Sequence, residues 1–341
     1  IMVNVADDEI RAVLAEAELL PDAQMDLVAY IRSLSIDAPD IRSLAVQIET
    51  STDDTTTTTG QDNQQPIIEE DISTGVISGT VTNGTEGGSV PAELALTLRI
   101  FDEQMNEPQT LTTQTNPDGT YSFEDVPVLE NTVYLVSVTY QDSNFGERLD
   151  PSTFEDGVAE LPIFIYEVTN DPEVIQISEI STQISSRSNV NVLDLVQTYV
   201  INNTSDRVFL SDDTLPDGRS YSLELPLPPA AIVFDNGTER FFYDDTTFTY
   251  YDTIGVAPGE GYQVQVVYLL PYEQSAVIEF PVNYAMDDGI ISFLIASDAL
   301  NFVSEEYVRF PEEMQRENSD LFGNVVQLAP GDLIRYEINR A

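Results

Sequence analysis

The chain has 341 residues, 60 of them acidic and 13 basic, for a formal net charge of −47. It contains no His, Cys or Trp, and also no Lys, so every basic residue is Arg. These absences exclude an imidazole general base, a thiolate or Schiff-base amine, and a Ser-His-Asp triad or His- or Cys-ligated metal built from this chain alone. The acidity itself opposes binding to nucleic acid and anionic lipid.

Residues 1–48 read as a helical segment. Asp7 or Asp8 caps a run from Glu9 to Leu20 in which Ile10, Val13, Leu14 and Ala17 share one face. Pro21-Asp22 restarts the chain, and Met25, Val28, Ala29, Ile31 and Leu34 mark a second amphipathic helix that Pro39 ends. The first residues lack the basic and apolar regions of a signal peptide. Ile1 is not an initiator Met, so the chain reads as processed or as a fragment.

Residues 49–70 read as a disordered, Thr-rich linker. Thr55–Thr59 and the following Gly-Gln-Asp-Asn-Gln-Gln offer almost nothing to bury, and such tracts do not recover their ordering entropy.

From Gly75 the apolar period changes to two. Strands are expected over Val76–Thr82, Leu94–Phe101, Thr120–Phe123 and Thr132–Tyr140, with Asn116-Pro-Asp-Gly as a turn. We assign 71–155 to one β-sandwich. A second β-sandwich is assigned to 156–341, with ten strands expected between Leu161 and Ala296 and one more in the tail after Pro330. Turns are expected at Pro216-Asp-Gly, Asp235-Asn-Gly, Ala257-Pro-Gly and Asp287-Asp-Gly. The fold class is therefore mainly β: tandem Ig-like or transthyretin-like β-sandwiches after a short helical segment.

Two stretches resemble known families. Ile77-Ser-Gly-Thr-Val-Thr-Asn-Gly, Asn116-Pro-Asp-Gly-Thr-Tyr-Ser-Phe and Tyr134-Leu-Val-Ser-Val-Thr-Tyr are similar to a carboxypeptidase regulatory-like domain. The resemblance implies a seven-stranded transthyretin-like sandwich without catalytic residues. It places Gly79 in the first strand, Asp118-Gly119 in a hairpin turn, and Tyr121 and Phe123 in the core. Leu20–Ser35 resembles the last helix of a class I c-type cytochrome. Haem attachment needs Cys-x-x-Cys-His, so haem is expected only if residues upstream of Ile1 supply it. The order of helix pair, Thr-rich linker and sandwich resembles large secreted or cell-surface proteins of Chloroflexota-type bacteria.

Candidate site residues are few. Asp212-Asp213, Asp244-Asp245 and Asp287-Asp288 lie in or beside expected turns and are weak candidate Ca²⁺ ligands: none matches the Asp-x-Asp-x-Asp-Gly loop, and ordinary turn chemistry is the preferred reading. Carboxylate pairs suited to glycoside hydrolysis are unavoidable among so many acids and carry little information. Phe241–Tyr251 reads as a hairpin that buries one face, or as a surface recognition hairpin. Asn83, Asn202, Asn203 and Asn236 stand in glycosylation sequons or are turn asparagines. No stretch approaches a membrane span of ~20 apolar residues. The expectation is a non-catalytic extracellular or cell-envelope structural and interaction protein, with other surface proteins or copies of itself as partners. The alternatives are an accessory region of an extracellular c-type cytochrome and a calcium-stabilised adhesin.

Overall fold

The structure, a computed structural model, describes residues 73–102, 109–129, 131–186, 191–234, 238–296, 299–315 and 318–341. The expected helical segment and linker lie outside these residues, as does Asn236. The chain is mainly β, arranged as successive sandwiches.

Eight strands build the first core: β1 (Thr74–Asn83), β2 (Ala95–Phe101), β3 (Gln109–Gln114), β4 (Thr120–Pro127), β5 (Val133–Tyr140), β6 (Ser143–Leu149), β7 (Val158–Glu160) and β8 (Ile163–Ile165). One sheet runs β4-β1-β7, with β8 also on β1; the other runs β3-β2-β5-β6. Alternation places Ile77, Leu96, Leu98, Tyr134 and Val136 between the sheets. Each such side chain contributes about 1.5–3 kcal/mol by leaving water. Tyr121 and Phe123 point into this core, and Gly119 at φ +84° closes the Asn116-Pro-Asp-Gly turn.

The expected boundary at 155/156 falls inside this core. Ala159, Leu161, Ile163 and Ile165 pack with Ile77 and Val81, because β7 and then β8 complete β1 as parallel neighbours. Leu161-Pro162 steps between them across Gly79. A Cβ on Gly79 would lie 2.0 Å from the Leu161 carbonyl oxygen, which is why glycine stands there.

Fifteen further strands follow: β9 (Val168–Thr169), β10 (Ile175–Ser186), β11 (Val192–Asn203), β12 (Val208–Phe209), β13 (Leu223–Pro226), β14 (Ile232–Val233), β15 (Phe241–Asp244), β16 (Thr249–Asp252), β17 (Gly259–Pro271), β18 (Ser275–Pro281), β19 (Met286–Ala296), β20 (Leu300–Val303), β21 (Val308–Arg309), β22 (Ser319–Leu328) and β23 (Leu333–Arg340). A seven-stranded sheet, β14-β17-β11-β10-β19-β22-β21, shares one core with two three-stranded sheets, β13-β16-β15 and β18-β23-β20. Ile180, Leu195 and Phe293 from the large sheet meet Leu225, Phe280 and Tyr336 from the small ones. Gln197, fully buried, is satisfied by tyrosines: Tyr268 donates to it at 2.6 Å, and it donates to Tyr199 at 2.5 Å.

Asp287-Asp288-Gly289 is not the expected turn. It forms a bulge inside β19, where the pairing with β22 shifts register between Met286 and Gly289 and Asp288 takes φ +53°.

Register sets the course of the chain. In the first core β1 and β8 run in the same direction, so the chain enters at one pole and leaves at the other. In the second, Ile175 pairs with Asn203 and Asn203 with Gly259, which places these three positions at the pole nearest the first core. Strand β17 runs away from that pole for roughly 43 Å at ~3.3 Å per residue. Arg340 donates its N–H to Gln274 at the far end, so β23 finishes at the distal pole. The two cores are thus threaded pole to pole.

Candidate functional site

A dense set of polar bonds joins the two cores at their junction. It is built from the end of β1, the β5–β6 turn, the connector after β8 and the β11–β12 turn. Glu167 is its hub. Tyr140 donates its hydroxyl to Glu167 Oε1 at 2.8 Å, Asn83 Nδ2 donates to the same oxygen at 3.0 Å, and Gln141 Nε2 donates to Oε2 at 2.5 Å. The Tyr140 hydroxyl, then the Gln141 and Asn83 amides and the Arg207 charge, hold the Glu167 carboxyl below its ordinary value against the opposing effect of burial.

Thr85 carries the hub into the second core. It is 4% exposed; its hydroxyl accepts from Glu167 N at 2.9 Å and donates to the Asp206 carbonyl at 2.8 Å. Asp206 Oδ2 then accepts from Glu86 N at 2.7 Å. The connector itself is paired: β9 lies parallel to β12, with Val208 N bonded to Glu167 O and Leu210 N to Thr169 O, both at 2.9 Å. A connector bonded on its backbone and its side chains has few free torsions left for hinge motion.

A second cluster sits behind the aromatic hairpin. Arg240 binds Asp252 through both guanidinium arms, Nε to Oδ1 at 3.0 Å and Nη2 to Oδ2 at 2.7 Å. Tyr262 donates to Asp252 Oδ2 at 2.7 Å and accepts from Arg240 at 2.9 Å. The Arg240 guanidinium also lies 4.5 Å from the Phe241 ring centre. Asp252 is fully buried. Burial acts to lower the Arg240 pKa, but the Asp252 carboxylate and Tyr262 outweigh it and the net direction is upward. Burial, then Asp252, pushes the Tyr262 hydroxyl well above its ordinary range.

The hairpin β15–β16 pairs in register as expected, with Phe241 stacked on Tyr250 at 5.0 Å on its inner face. An open cleft of about 620 Å³ beside the hairpin is lined by Phe241, Phe242, Tyr243 and Tyr250 together with Phe234 and Arg219. Arg219 is tied to Asp217 at 2.7 Å and to the Glu239 carbonyl.

The three aspartate pairs lie on different elements. Asp212 accepts from Asn170, Asp244 caps its own turn by accepting from Thr246 N and Oγ1, and Asp287 accepts from Gln327 at 3.1 Å. Among the described residues no three Asp or Glu side chains gather as a metal group. Two sequon asparagines are committed elsewhere. Asn203 is 2% exposed and donates to the Arg207 and Val256 carbonyls; Asn83 serves the junction. Asn202 accepts from Gly261 N at 3.0 Å. The junction residues carry no sequence signature, because Asn83, Thr85, Tyr140, Gln141, Glu167 and Asp206 come from four separate segments. Asn83-Gly-Thr between a strand and a polar loop was the one local signal.

No protein-family model matches the chain, and no curated protein matches it in sequence. Among solved structures it overlaps an M1 zinc metallopeptidase from Deinococcus radiodurans at 10% identity and TM-score 0.29, over 48% of this chain and 42% of the peptidase. The chain therefore spans about two fifths of that protein's length. It also overlaps the major pilin SpaD from Corynebacterium diphtheriae at 9% identity and TM-score 0.24, over 80% of this chain and 83% of the pilin. The pilus protein RrgB from Streptococcus pneumoniae overlaps at 10% identity and TM-score 0.19, over 79% of this chain and 62% of that one. Overlaps this loose carry no argument about what the chain does.

Proposed function

We propose that this chain is a non-catalytic spacer of a cell-surface or extracellular assembly, holding the parts attached at its two poles at a set distance and orientation. Its partners in this reading are other surface proteins or further copies of itself. The observation that carries it is the Glu167–Thr85–Asp206 junction, which bonds two cores threaded pole to pole. The groups best suited to chemistry in other proteins are spent on architecture here. Arg240, Asp252 and Tyr262 satisfy one another, and Glu167 accepts from three side-chain donors. The resemblance of the first core to a carboxypeptidase regulatory-like domain belongs to the same reading, since such domains act as spacers or binding modules.

Rigidity is the testable content. The chain has no Cys, so Thr112→Cys and Gln263→Cys place one spin label on each core and nowhere else. Pulsed dipolar spectroscopy is expected to return a single narrow distance distribution. Thr85→Val removes the hydroxyl that joins Glu167 N and the Asp206 carbonyl, a loss of about 1–3 kcal/mol for buried groups left unpaired, and is expected to broaden the distribution. A broad distribution in the unsubstituted junction overturns the spacer reading. Antibody that labels lysed but not intact source cells overturns the surface location.

A further inference from the structure

We propose that the chain bears tension along its length, with the parallel β1–β7/β8 ladder as a shear clamp. The inference rests on the spacer reading and adds a mechanical function to it.

Its basis is the direction of the strands relative to the direction of pull. Force applied along the chain reaches β1 at its N-terminal end, at the outer pole, and leaves β8 at its C-terminal end, at the junction. The two strands run parallel, with Val76–Ser78 opposite Val158–Glu160 and Val81–Asn83 opposite Ile163–Ile165. Pulling their opposite ends slides one strand along the other. Every bond of the ladder is then loaded at once, including Val76 N to Gly157 O and Leu161 N to Ser78 O at 2.8 Å and Gly84 N to Ile165 O at 2.9 Å. Pulling the same two strands from one shared end would load the bonds singly, in sequence.

The arrangement continues past the first core. The connector after β8 does not hang free between the cores. Strand β9 lies parallel to β12, and the Thr85–Asp206 bond crosses the junction beside it. Strand β10, the first long strand of the second core, has a parallel partner in β19 from Glu179–Ile184 opposite Ile290–Ile295. The chain leaves the second core through β23 at the distal pole, so this core too is pulled from opposite poles. Gly79 sharpens the point: the close approach of Leu161 O presses the β7–β8 step against the middle of β1, where a side chain would force the strands apart.

The test is single-molecule force spectroscopy on the full chain, with handles on introduced cysteines. One version carries Ser73→Cys and Ala341→Cys and is pulled along the chain. The other carries Ser73→Cys and Glu155→Cys, both at the outer pole, and peels β1 from β7. All three positions are exposed, and circular dichroism establishes that both versions are folded. The first core is recognised by its released length: roughly 300 Å for about 92 residues when pulled along the chain, and roughly 270 Å for the about 82 residues between Ser73 and Glu155, at ~3.3–3.6 Å each. At matched loading rate the along-chain rupture is expected at a force at least about twofold higher than the peeling rupture, because several backbone bonds share the load instead of one. Equal forces, or a stronger peeling geometry, overturn the clamp. That result leaves the spacer reading standing, since the spin-label distances test it separately.

Discussion

Removing the Asp252 carboxylate should damage the second core far more than a typical charge deletion. In Asp252→Ala the Arg240 guanidinium, 14% exposed, keeps its place between Phe241 and Tyr262 but loses both carboxylate bonds. The Tyr262 hydroxyl loses its acceptor, and Ile254 N loses its bond to Oδ1. An uncompensated buried charge of this kind costs about 3–5 kcal/mol. That is a large part of a domain's usual total of about 5–15 kcal/mol. Urea unfolding followed by circular dichroism and tyrosine fluorescence reads the change. With a slope of about 2 kcal/mol/M, a loss of about 4 kcal/mol moves the midpoint down by about 2 M. Only the second-core transition should move, because Asp252 belongs to that core. The double variant Arg240→Met/Asp252→Leu should cost less than either single change, since no charge is then left unpaired. Asp150→Ala, which breaks the exposed pair with Arg148, supplies the contrast and should cost less than about 1 kcal/mol. If Asp252→Ala costs no more than Asp150→Ala, or if the double variant equals the sum of the singles, the cluster is not the coupled unit described above.

Two further outcomes follow from the junction and the first core. Glu167 has its carboxyl pKa held below the ordinary 4.5, so its stabilising effect is complete above that value and is lost as the pH falls through the depressed folded value. The spin-label distribution should stay narrow at about pH 7 and broaden only on acidification below that ordinary value; broadening on going from about pH 5 to about pH 7 would contradict the assignment. Gly79→Ala drives a methyl group into the Leu161 carbonyl, a backbone atom with nowhere to retreat, and should destabilise the first core by about 3 kcal/mol. Gly87→Ala meets nothing within 4 Å and pays only the left-handed backbone strain at φ +74°, about 1–2 kcal/mol, so comparing the two melting curves separates close approach from conformation.

The sequence by itself determined the class of the fold and most of its long strands. Period-two alternation marks β1, β2, β5, β10, β11 and β17 because each buries one face, and burial of a face leaves its imprint on the residue order. The Asn116-Pro-Asp-Gly turn and the Phe241–Tyr251 hairpin were legible for the same local reason. Strands such as β3 and β6 were not, since they lie at sheet edges and are rich in Thr, Gln, Asn and Glu. Nor could local pattern assign Ile163–Ile165 to the first core. A short apolar strand fits any open sheet edge, and only the three-dimensional course of the chain offered it β1. The Asp287-Asp288-Gly289 bulge reads as a turn because bulges and turns use the same residues. The junction was decided wholly by tertiary structure. Its hydrogen bonds join residues as far apart as Thr85 and Asp206, and a polar side chain in a surface loop carries no mark of the partner that folding will bring to it.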